Sequence, residues 1–89
     1  MSQAALLRAL DEAIAAARRL EAGGVVDQGR LQQLAEELTA RRAEVVAGHG
    51  LEREWAGRTV RWVAEWLPDA ELPLLARLGA IVRAAASRR

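Results

Sequence analysis

The sequence predicts an all-α fold, a small four-helix bundle built from two helical hairpins and running up-down-up-down. Three observations predict it. Apolar residues recur at spacings of three and four in four successive segments, at about 3–22, 28–47, 51–67 and 70–87, which is the pitch that stacks side chains on one face of a helix. Glycines or a proline separate those segments, the residues at which helices stop. No segment shows the strict apolar–polar alternation of a strand.

The first helix carries Leu6, Leu10, Ala13, Ile14, Ala17 and Leu20 on one face, with Arg8, Glu12 and Arg19 opposite. Gly23-Gly24 ends it by supplying the left-handed backbone that a helix stop favours. Asp27 is a good N-cap for the second helix, and Val26 before it staples onto Leu31. The apolar stripe of that helix runs Leu31, Leu34, Ala35, Leu38, Val45 and Val46, and Gly48-His49-Gly50 closes it. A short loop between the two helices implies an antiparallel hairpin.

The third helix carries all three tryptophans. Leu51, Trp55, Trp62 and Trp66 share a narrow strip, and Ala56, Val60, Val63 and Leu67 widen the apolar side to nearly half the cylinder. So wide a face implies neighbours on two sides. Pro68-Asp69 breaks the chain, with Asp69 a candidate cap, although Pro73 suits a first turn better if the fourth helix begins near Leu72. Leu74, Leu75, Leu78, Ile81, Val82 and Ala85 form its buried side. Arg77, Arg83, Arg88 and Arg89 follow with no acid after Glu71, which suits the negative end of a helix dipole.

A chain of 89 residues makes one domain with a thin core, and many such chains gain stability by associating. The absence of Cys removes disulfides, thiolate metal sites and a cysteine nucleophile from consideration. Residues 1–7 present no basic patch before the apolar residues, and no apolar run reaches the ~18 residues of a membrane span. The expectation is a cytoplasmic protein with no membrane partner. All thirteen basic residues are Arg, against twelve acids, for a net charge of +1. Arg suits bidentate phosphate or carboxylate contacts, but the accompanying Ala excess points to a GC-rich coding sequence.

No residue pattern announces catalysis. His49 is the single histidine and supplies one metal ligand where three or four are needed; it reads as an exposed loop residue, or else as part of a site completed across a symmetric oligomer. Neither a metal nor a cofactor is expected, and a small all-helical enzyme would need a nucleophile–base pair, a metal cluster or a phosphate loop that the sequence lacks.

Binding is the better expectation. The tryptophans Trp55, Trp62 and Trp66 read as core with exposed indole edges, as a partner interface, where Trp and Arg are the commonest energetic anchors, or as a membrane-surface strip, against which the near balance of Arg and Glu on the charged side speaks. Arg58 is placed for cation–π contact with Trp55 and Trp62. Arg42 interrupts the apolar stripe of the second helix. Either its stem lies on the core with its head in solvent, or it forms a buried or interfacial ion pair that specifies partner or register.

The leading expectation is therefore a non-catalytic protein-interaction module, an adaptor or accessory subunit, that docks a protein partner or itself, with a homodimer foremost. The alternative is a small helical nucleic-acid-binding or regulatory protein acting through Arg58, Arg61, Arg77 or Arg83. Residues 72–89 hold four Arg and no acid, but seven acids offset six Arg in residues 1–50, so no broad basic face is implied.

Overall fold

The boundaries of the helices follow from residues that suit them. A computed structural model describes residues 3–87 and contains α1 (Gln3–Gly23), α2 (Gln28–Val46), α3 (Arg53–Trp66) and α4 (Leu72–Ser87), with one 3-10 turn, Asp69–Glu71, leading into α4. No strand occurs among the described residues. Arg88 and Arg89 lie outside them.

Between α1 and α2, Gly24 adopts a positive φ of 74°, and the Asp27 carboxylate accepts from the Arg30 amide at 3.1 Å, satisfying a donor that the start of a helix leaves open. Val26 and Leu31 are both buried in the same core, as a hydrophobic staple requires. At the far end of α2 the Gly48 amide donates to Val45 O at 3.0 Å and the His49 amide to Glu44 O at 2.9 Å. These are the two bonds of a Schellman stop, and Gly48 takes the left-handed position with φ of 97°.

Two helices differ from the sequence-based expectation by more than one residue in all. The third helix is shorter than 51–67, because Leu51 and Glu52 precede it, Glu52 being extended, and Leu67 leaves it with ψ of 129°. Leu67 precedes Pro68, whose ring disfavours the helical region for the residue before it. The fourth helix begins at Leu72 and not at 70: residues 69–71 close a tighter turn, with the Glu71 amide donating to Pro68 O at 2.9 Å. Pro73 then stands in the first turn, where its missing N–H costs nothing.

Cross-helix contacts give the topology. Gln3 donates to Val45 O, and Arg42 pairs with Asp11, while Gln28 donates to Glu21 O at 2.9 Å at the other end, so α1 and α2 are antiparallel. Arg77 meets Glu12 at 2.9 Å, and Leu20 and Ala16 lie by Pro73 and Leu74, so α1 and α4 are antiparallel too. Trp55 and Ala56 lie beside Leu78 and Ile81, consistent with an antiparallel α3–α4 hairpin. The result is the up-down-up-down bundle, elongated at 38 × 19 × 17 Å.

Leu6, Leu10, Leu31, Leu34, Leu38, Val63, Leu74, Leu78 and Ile81 fill the core, which contains no buried charged residue among those described. Packing around the ring is unequal. Backbones approach closely for α1 with α2, α1 with α4 and α3 with α4, but no Cα of α2 comes within 8 Å of a Cα of α3 among the described residues. The wide apolar face of α3 therefore has one closely packed helical neighbour, and its second flank looks across a seam.

Candidate functional site

The seam between α2 and α3 is a groove with a cavity of about 320 Å³. From α2 it is lined by Gln33, Leu34, Glu37 and Arg41, and from α3 by Trp55, Arg58, Thr59 and Trp62. The α2 residues recur at three and four, as do those of α3, so each helix turns one ridge toward the groove. Leu34 and the 5% exposed Trp55 form the apolar floor, and the Thr59 hydroxyl is turned back to Trp55 O at 2.8 Å.

Arg41 is the polar anchor of the groove. Its guanidinium carbon sits 5.1 Å from the centre of the Trp55 ring, within the range of a cation–π contact. Nη1 donates to Glu44 Oε1 at 3.1 Å, while Nε is buried without a hydrogen-bond acceptor. The planar guanidinium lies over an aromatic face while Arg41 lines the groove, a stacking that Arg favours over Lys.

The residues singled out from sequence separate into different places. Trp55 is buried under Arg41, whereas Trp62 and Trp66 are half-buried and meet edge to face at 5.2 Å with their planes at 70°. Such a pair adds a modest attraction beyond burial. The Nε1 of Trp66 is buried with no acceptor, while Trp62 lines the groove. The one Trp strip thus divides into a core anchor, a packed indole and a rim residue.

Arg58 also lines the groove, but the cation over an indole face is Arg41; Arg58 turns along its own helix to Glu54 at 3.8 Å. Arg42 faces away from the groove, toward α1, where Nε and an Nη donate to the two carboxylate oxygens of Asp11. Its side chain is 39% exposed. Arg42 thus forms a partly exposed ion pair across the first hairpin.

Of the arginines considered for nucleic acid, Arg58 and Arg61 share the outer face of α3 with Arg53. Arg77 is bonded to Glu12 on the α1–α4 side, and Arg83 is exposed on α4. His49 is exposed in the loop after α2. No cluster of three His, Cys, Asp or Glu able to hold a metal ion occurs among the described residues, and no described helix is long and apolar enough to cross a membrane.

Sequence reasoning passed over Arg41, Glu37 and Gln33. The signal was present: Arg41 follows Leu34 by seven residues and Leu38 by three, which places it at the edge of the apolar stripe beside Arg42. Periodicity puts Arg41 at the stripe's edge and Arg42 within it, but does not say which flank of the stripe meets α1 and which meets α3.

Compared with known proteins, the chain matches no family model, no curated protein and no solved structure.

Proposed function

We propose that this chain is a non-catalytic protein-interaction module that self-associates, with the α2–α3 groove as its docking surface and a second copy as the occupant. The observation that carries the reading is the open seam: Trp62 stands half-buried on its rim, over an apolar floor of Leu34 and Trp55 with Arg41 fixed on the indole. Trp and Arg beside an apolar depression are the residue types in which interface energy concentrates. A chain of this length also exposes a larger share of its surface than bigger domains do, so burial against a second copy adds proportionately more.

The test is sedimentation of the full chain over a concentration series, with tryptophan quenching by acrylamide at each point. The expected result is a mass that rises with concentration while quenching falls. Trp62→Ser keeps its helical circular dichroism but loses the association. A wild-type chain that stays monomeric throughout, or a Trp62→Ser chain that associates as well as wild type, overturns the reading.

A further inference from the structure

The two lips of the groove carry charges in a matched order. The Arg41–Trp55 contact sets the level of one helix against the other, and antiparallel helices with the same rise of about 1.5 Å per residue keep that level along their length. Stepping from this contact, Glu37 comes level with Arg58–Thr59, and Gln33–Leu34 with Trp62; all of these line the same cavity. In the other direction from Arg58, Glu54 stands level with Arg41–Arg42. Acid on α2 thus faces base on α3, and base on α2 faces acid on α3.

Within one chain these charges do not meet. Glu37 makes no ion pair among the described residues, and Arg58 reaches only Glu54, at 3.8 Å with both side chains well exposed. Arg41 is held by Glu44 on its own helix. No Cα of α2 lies within 8 Å of a Cα of α3 among the described residues, and the one polar contact across the seam is that of Arg41 with the Trp55 ring.

From this order we infer that two copies pair groove to groove about a two-fold axis running along the groove, so that α2 of each copy lies antiparallel on α3 of the other. The inference rests on the self-association reading above and gives it an orientation. A half-turn about that axis exchanges left and right but leaves levels unchanged. Glu37 of each copy then meets Arg58 of the other, Arg41 comes over Glu54, and each Trp62 covers the Gln33–Leu34 stretch of the opposite floor. The same patch is used twice, as a two-fold interface requires. The other face-to-face half-turn, about an axis across the groove, sets α2 on α2 and α3 on α3 and forgoes every one of these matches.

The experiment is sedimentation equilibrium on the full chain with Glu37→Arg, Arg58→Glu, both changes in one chain, and an equimolar mixture of the two single variants. Circular dichroism confirms that each is folded. Each single variant places like charges together twice per dimer and weakens association by about tenfold or more at low salt. The combined chain and the mixture return to within about threefold of wild type, because every pair is again of opposite sign. Glu37→Gln, which deletes the charge without reversing it, falls between wild type and Glu37→Arg, and serves in place of the reversal should that variant not fold. A wild-type monomer overturns the self-association reading and this orientation with it. A wild-type dimer that the single reversals leave unchanged, or whose loss the combined chain does not repair, overturns the orientation alone.

Discussion

Leu38 is a fully buried side chain through which α2 reaches both helices of the other hairpin, and its truncation is the sharpest test of how the bundle is held together. It lines, with Trp55, Ala56, Thr59, Leu78 and Ile81, a crevice with no room for a water molecule. Leu38→Ala deletes three carbon atoms, a transfer loss of about 2.5 kcal/mol at the usual value per methylene. The cavity that remains after partial relaxation adds about 1–2 kcal/mol. The expected cost is thus about 3.5–4.5 kcal/mol, against a total stability on the order of 5–10 kcal/mol for a domain of this size. Urea denaturation followed by circular dichroism at one fixed protein concentration measures it, since association stabilises the folded state by mass action. The melting temperature falls by about 15–25 °C. The half-exposed Leu72 supplies the comparison, with Leu72→Ala changing stability by no more than about 0.5 kcal/mol. A Leu38→Ala loss below about 1 kcal/mol would refute the reasoning, since burial at that position would then not join the two hairpins.

Two further perturbations follow from local geometry. Gly48 has a φ of 97° with open space around it, so Gly48→Ala destabilises by about 1 kcal/mol through backbone strain alone, whereas Gly57→Ala, inside α3 and facing only the end of the Arg61 side chain at 3.6 Å, stabilises by about 0.5–1 kcal/mol; equal effects of the two in chemical denaturation would count against the backbone assignment. The Asp11–Arg42 pair spans the first hairpin but both side chains are more than a third exposed, so Asp11→Asn costs less than about 1 kcal/mol and the difference shrinks in high salt. A larger, salt-independent loss in thermal melts would mean that Arg42 is buried more deeply than its partly exposed ion pair implies.

Much of the architecture was legible along the chain because it depends on near neighbours. Asp27 as a cap, the Val26–Leu31 staple, the left-handed Gly24 and Gly48, and the stop at Pro68 each act within a few residues of where they stand. The margins of the third and fourth helices were less legible. Leu51 and Leu67 continue the apolar period, yet neither lies within the helix; Leu67 is held out by the proline that follows it, and periodicity registers the side chains and not the backbone. The site was legible only in part: Trp55, Trp62 and Arg58 do line the groove, while Arg42 lies on the other margin of α2 and Arg41 takes the place against the indole.

Local chemistry was therefore enough to decide that this chain makes helices, where most of them stop, and which face of each turns from water. Only the tertiary structure decided which helices touch. It set α1 against both α2 and α4, left α2 and α3 apart, and so converted one flank of the third helix into a groove instead of core. The physical reason is that a helix face records how much apolar surface must be covered but not by what. The covering partner is chosen by the packing of the whole set at once.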